Sequence, residues 1–211
     1  MTSFIDIHTH KTELGNNIEI CNISCDTRGS YKYYSCGLHP WDIEKSNIDE
    51  RIAKLYCYAD GMIALGEIGL DRSIDCNVSK QISIFEKQNE IAVKYNLPVI
   101  IHSVKAYSDF LELINNKKNK TPWIFHGYNG NLDIALALIN KGCYISFGCN
   151  LLNSKKLQYV FLNVSLDSVF FETDNSAVTI EEIYNKSAVL LDVSIDVLKE
   201  KMYSNFKKIF N

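Results

Sequence analysis

With 211 residues, 46% of them hydrophobic and 22% charged, the chain is long enough to enclose a sizeable core as a single domain over residues 1–211, and its composition is neither that of a disordered nor of a membrane protein. No apolar run nears the roughly 18 residues of a membrane span, and the first six residues lack the basic start and apolar core of a secretory signal. The expectation is therefore a cytoplasmic protein with no membrane attachment and no obligate protein partner. A net charge of −3 gives no global attraction for nucleic acid, so such a contact needs a local patch.

The seven cysteines, Cys21, Cys25, Cys36, Cys57, Cys76, Cys143 and Cys149, contain no C-x-x-C pair. Reduced thiols, several of them acting as small buried hydrophobes, fit this spacing better than a zinc–thiolate site.

In chain order, runs rich in β-branched and aromatic residues predict strands over 4–8, 18–24 and 33–39. The joins between them, 9–17 and 25–32, are too short for a helical crossover. A helix follows over 47–60, with Ile48, Ile52 and Leu55 on one side, then a strand over 62–67. The segment 79–96 places Ile82, Phe85, Gln88, Ala92 and Tyr95 at helical spacing. Strands at 98–102, 123–126, 143–148 and 169–173 alternate with helices at 106–115, 131–141, 154–163, 180–191 and 195–209, and NNKKNK (115–120) reads as a solvated loop. Several strand runs are apolar throughout, as parallel strands covered on both faces are. This alternation predicts an α/β protein of the (β/α)8 TIM-type barrel class, eroded by missing helices in its first two crossovers.

All five histidines fall at or just beyond the ends of these runs: His8 and His10 in IDIHTH, His39 in CGLHP, His102 in VIIHS and His126 in WIFHG. Glu67 ends MIALGE and Asp174 ends VFFETD. In a parallel barrel the C-terminal strand ends meet at one mouth, so His8, His10, Glu67, His102, His126 and Asp174 are candidate ligands of a common metal site. His8 and His10, two apart on a strand, project to one side with Asp6, which either ligates or fixes the tautomer of a ligating imidazole. Such nitrogen and oxygen donors suit Mg2+, Mn2+ or Zn2+. His39, followed by Pro40 and Trp41, either contacts substrate or shapes a turn.

These residues sit in an ordered series of motifs, DIHTH (6–10), SCGLHP (35–40), ALGEIGLD (64–71), PVIIHS (98–103), FHGYNG (125–130) and ETDN (172–175), in which the chain resembles the TatD-type metal-dependent deoxyribonucleases, relatives of the amidohydrolases. The resemblance implies two divalent metal ions held by His8, His10, Glu67, His102, His126 and Asp174, with Glu67 bridging them, and DNA as substrate. Two such ions acidify a water and polarise the oxygen under attack, so no protein nucleophile is needed. Asp174 is then the expected proton acceptor. Lys105 is a candidate point charge for a phosphate and Tyr128 a candidate face for a nucleobase, a solvated lysine and a packing tyrosine being the alternatives. The chain departs from the family pattern in lacking a helix after the first histidine pair, in a reduced segment after Asp174, and in having Val104 and Lys105 where many members carry an arginine. An ester or amide hydrolase, aminoacyl esters included, and a binding protein with a vestigial site are the rival readings.

Overall fold

In the computed structural model, residues 2–11, 15–24, 31–44, 47–116 and 121–210 are described. Cys25, most of the 25–32 connection and the last four residues of the NNKKNK loop lie outside them. Among the described residues eight strands run in the order β1 (Ile5–Thr9), β2 (Ile18–Ile23), β3 (Tyr34–Cys36), β4 (Ala64–Asp71), β5 (Val99–Val104), β6 (Trp123–Phe125), β7 (Tyr144–Phe147) and β8 (Val169–Phe171). They form one sheet whose order follows the chain from β1 to β8. The α-helices among the described residues are α1 (Ile48–Tyr58), α2 (Val78–Tyr95), α3 (Tyr107–Asn116), α4 (Leu132–Ile139), α5 (Lys155–Leu162), α6 (Ile180–Leu191) and α7 (Ile195–Ile209). This is the (β/α)8 fold, with no helix described between β1 and β2 or between β2 and β3.

Local chemistry starts the helices where the sequence signals them. Asn47, Asn77, Asn131, Ser154, Thr179 and Ser194 each cap a helix by accepting from a backbone N–H of its first turn, and Thr179 with Glu182 completes a reciprocal capping box. No described helix is long and apolar enough to cross a membrane. Six of the cysteines carry free thiols, and Cys21, Cys36 and Cys143 are buried among apolar strand residues.

By its contacts the chain divides into two compact units, Met1–Cys21 with Phe125–Asn211, and Asn22–Ile124. In the first unit β7 and β8 pair in parallel, and β1 is bridged to the segment after β8 through Thr9 and Asp174. The Tyr184 hydroxyl of α6 donates to the Ile5 carbonyl and accepts from the Ile5 N–H, both at 3.2 Å, which fastens the start of β1. Phe147, Phe161, Phe171 and Tyr184 continue this core through ring contacts of 4.7–5.8 Å.

In the second unit β4 is buried along all eight residues, as expected of a strand covered on both faces. It pairs in parallel with β3 and β5. One sequence expectation is corrected here: Glu67 and His102 do not end their strands. β4 continues to Asp71 and β5 to Val104, paired at Gly69↔His102, Leu70↔Ser103 and Asp71↔Val104. Phe85 of α2, Phe110 of α3 and Trp123 of β6 pack edge to face at 5.2–6.0 Å.

Two glutamines of α2, Gln81 and Gln88, are buried and satisfy backbone groups at the strand ends. The Gln88 amide accepts from Leu38 N–H at 2.7 Å and donates to Leu38 O at 3.2 Å. Gln81 accepts from Asp71 N–H at 2.7 Å and donates to Asp71 O at 3.0 Å. Each holds a residue beside, or within, the candidate site. Gln88→Leu leaves the two Leu38 groups buried without partners and is expected to lower stability by about 2 kcal/mol. Urea denaturation checks this, and an unchanged midpoint would show that Leu38 finds other partners.

Candidate metal centre

The first unit assembles His8, His10 and Asp174, whose ligand atoms all lie within 4.8 Å of one another. Backbone pairing makes this possible. Asp174 N–H donates to His8 O at 2.9 Å and Asp174 O accepts from His10 N–H at 3.4 Å, so the carboxylate is stitched between the two histidines. Asp174 does this at φ 50, a left-handed conformation that aspartate tolerates better than most residues and that is often found at functional positions. Its Oδ1 lies 3.7 Å from His8 Nε2 and 3.5 Å from His10 Nε2. His8 is fully enclosed, whereas 43% of the Asp174 side chain is open to solvent.

Asp6 works as a tie between β1 and the segment after β8. Its Oδ2 accepts from Thr173 Oγ1 at 2.6 Å, and its Oδ1 accepts from Thr173 N–H at 3.1 Å and His8 N–H at 3.3 Å. Burial outweighs these hydrogen bonds and pushes its carboxyl up to about 7.

His126 lies beside this group, its ring 4.4 Å from that of His8. Glu172 Oε1 stands 3.2 Å from His126 Nδ1 and also accepts from Gly127 N–H at 2.7 Å. A carboxylate on Nδ1 puts the other ring nitrogen, Nε2, on the edge suited to ligation. Glu172 is 1% exposed and its role escaped the sequence reading, although ETDN contains it.

The second unit assembles His39, Glu67 and His102 in the same way. Glu67 Oε1 is 2.7 Å from His102 Nδ1 and 3.3 Å from His39 Nε2, and the two imidazole rings are 4.4 Å apart. Asn22 Oδ1 positions the strand here by accepting from Glu67 N–H at 2.9 Å and Ser35 Oγ at 3.2 Å.

The tautomers follow from the neighbours. His39 Nδ1 accepts from Trp41 N–H at 3.1 Å, so a neutral His39 carries its proton on Nε2, directed at Glu67. That suits His39 to donating a hydrogen bond rather than to ligating. His102 sits between two carboxylates, Nδ1 2.7 Å from Glu67 Oε1 and Nε2 3.3 Å from Asp71 Oδ2. A neutral ring has one proton to give, and an ion held by Glu67 would leave Nδ1 to ligate and Nε2–H to donate to Asp71.

Burial raises the Asp71 carboxyl, but hydrogen bonds from Ser73, Trp41 and His102 prevail and hold it at about 2. It is therefore an ionised acceptor. Asp71 also escaped the sequence reading, although it stands two and four residues beyond Gly69 and Glu67 on the same side of β4.

Of the two readings of Tyr128, its surroundings are those of the packing residue. It is 1% exposed, its ring packs 6.2 Å from that of Phe147, and its hydroxyl donates to Asn131 O at 2.6 Å, so it offers no open face for a base. It does line a cavity of about 70 Å3 next to Asp174, with Gly148, Asn150, Glu172 and Ser176. Lys105 is exposed just past β5, at φ 52. As donor sets, imidazole and carboxylate without thiolate fit a hard or borderline divalent ion.

Residues 3–211 match the family described as TatD related DNase. An uncharacterized metal-dependent hydrolase of Buchnera aphidicola is 26% identical across 98% of both chains. A protein of Enterocytozoon bieneusi, provisionally named a deoxyribonuclease, is 31% identical over 82% of this chain and 65% of its own length. The crystal structure of a TatD homolog from Escherichia coli superposes with a TM-score of 0.85 at 21% identity, covering 99% of this chain and 98% of that one. A TatD family hydrolase from Entamoeba histolytica gives a TM-score of 0.80 at 18% identity with the same coverage. The chain therefore belongs to the TatD-related DNase family, and with it to the metal-dependent hydrolases.

Proposed function

We propose that the protein is a metal-dependent phosphodiesterase that hydrolyses DNA at single-stranded or frayed ends. The observation that carries this reading is the pair of imidazole–carboxylate groups, His8/His10/Asp174 and His39/Glu67/His102, each with its ligand atoms within 4.8 Å. The related protein named as a deoxyribonuclease supports the choice of DNA over other substrates.

In this reading His8, His10, His126 and Asp174 hold one divalent ion, and Glu67 and His102 hold another, as Mg2+, Mn2+ or Zn2+. Bound there, the ions supply Lewis-acid polarisation of the phosphoryl oxygen and a water of lowered pKa. Asp174 takes the proton of the attacking water, for which its position between two imidazoles and its solvent exposure suit it. Asp71 and Glu172 orient His102 and His126, each from the ring edge opposite the ligating nitrogen. His39 donates from Nε2 to Glu67 or to a substrate oxygen that replaces it. Lys105 meets a phosphate as a point charge.

End-labelled single-stranded DNA and internally labelled duplex, each with Mg2+, Mn2+ or Zn2+, test the proposal. The expected result is cleavage from strand ends that requires an added divalent ion, stops with EDTA and weakens as salt rises. Efficient hydrolysis of aminoacyl or other esters with intact DNA would overturn it in favour of an amidohydrolase-like activity.

A further inference from the structure

We propose that Trp41 is a stacking platform for a nucleobase beside the His39/Glu67/His102 group. The proposal rests on the phosphodiesterase reading for the nature of the ligand, while its own support is the way the ring is presented. Trp41 is 56% exposed, whereas Trp123 is 3% exposed in the core. A tryptophan kept for packing would hide that surface, since leaving a large apolar ring in water is unfavourable.

The exposed ring is nevertheless held firmly. Its indole Nε1–H donates to Asp71 Oδ2 at 2.8 Å, and its backbone N–H donates to His39 Nδ1 at 3.1 Å. Its plane stands edge to face against His39, at 82° and 4.8 Å between centroids, and against His102, at 76° and 6.0 Å. Pro40 restricts the backbone just before it. Asp71, the anchor, is 1% exposed and is itself fixed by Ser73 and by Gln81 of α2. A ring ordered before binding loses little freedom when a ligand arrives, so its contact area converts efficiently into affinity.

The ligand's chemistry follows from what the ring offers and what surrounds it. The one polar atom of the indole is committed to Asp71, so recognition is through the π face. A planar heteroaromatic ring matches that face, and the adjoining imidazole–carboxylate group suits a phosphate bound through a divalent ion. The two together describe a nucleotide. Because no donor or acceptor of the ring is left to read a base edge, the platform accepts all four bases with similar strength, as stacking sites on single strands do. Asp71 is a positioning residue for this platform and contacts His102 through the same Oδ2, so ring and imidazole share one anchor.

Trp41 and Trp123 are the two tryptophans of the chain, so Trp123→Phe leaves Trp41 as the fluorescent reporter. Titration with dAMP or dTMP in Mg2+ is expected to give saturable quenching, and 2-deoxyribose 5-phosphate to give none. By calorimetry, Trp41→Ala in the otherwise native chain should weaken both nucleotides by roughly 10-fold or more and leave the abasic phosphate unchanged, with Trp41→Phe intermediate. The calorimetric comparison does not depend on Trp123→Phe folding. Equal affinity of wild type and Trp41→Ala for the nucleotides, no detectable nucleotide binding, or equal binding of nucleotide and abasic phosphate overturns the proposal. Binding that requires the presence of a base, without DNA cleavage, would sink the phosphodiesterase reading and leave the platform standing; cleavage unaffected by Trp41→Ala and by an abasic site at the strand end would do the reverse.

Discussion

Asp174→Asn is expected to lower turnover by on the order of 10²-fold or more at saturating metal while the protein stays folded. Asparagine has the same shape and also tolerates the left-handed conformation found at this position. The backbone bonds from Asp174 to His8 and His10 therefore survive the change. What disappears is the negative charge that Oδ1 places 3.5 Å from His10 Nε2 and 3.7 Å from His8 Nε2, together with the ability to accept a proton. Single-turnover rates on labelled DNA, with a melting curve for each protein, separate chemistry from stability. Wild-type turnover by the variant would exclude Asp174 as the proton acceptor, and a collapse of the melting temperature would show that its main contribution is structural.

Gly69→Ala should have the largest effect on the fold. Gly69 is paired with His102 across β4 and β5, and a Cβ added there would overlap the His102 carbonyl oxygen and stand 2.9 Å from His102 N. Both neighbours are backbone, so no side-chain rotation relieves the clash and the two strands must separate. The expected cost is at the upper end of overpacking penalties, about 3 kcal/mol or more. Separation also draws His102 away from Glu67 and Asp71, so metal affinity should fall with stability. Gly142→Ala is the comparison. Its φ is +81 and an added Cβ meets nothing within 4 Å, which leaves a conformational cost of about 1–2 kcal/mol for a left-handed alanine. Urea denaturation of the two variants decides the matter: equal losses would mean that the approach of His102 to Gly69 is not what requires glycine.

Much of the architecture is legible in the residues because it is carried by local patterns. Apolar β-branched runs mark the strands, caps such as Asn77 and Thr179 mark helix starts, and the short joins after β1 and β2 leave no room for helices. That the histidines lie in the C-terminal part of those strands or just past them could be read for the same reason, although His102 proved to lie inside β5. The resemblance of the motifs then pointed to the family that the match over residues 3–211 establishes.

The pairings are another matter, because they join residues far apart in the chain. The run MIALGE reads locally as a strand ending at Glu67, yet β4 continues to Asp71, and glycine at 69 answers to the backbone of His102, 33 positions away in the register of β5. Nothing local assigns Asp71 to Trp41 and His102, or Glu172 to His126, across separations of 30, 31 and 46 residues. Tyr128 and Trp41 are both aromatic residues two positions beyond a histidine, and their sequence contexts do not separate them. Burial against Phe147 makes one a packing residue, and a hydrogen bond to a buried carboxylate leaves the other facing solvent. Local spacing places these groups on or just past their strands, whereas the strands' true ends and the groups' partners, tautomers and exposure depend on contacts that form only when distant segments pack.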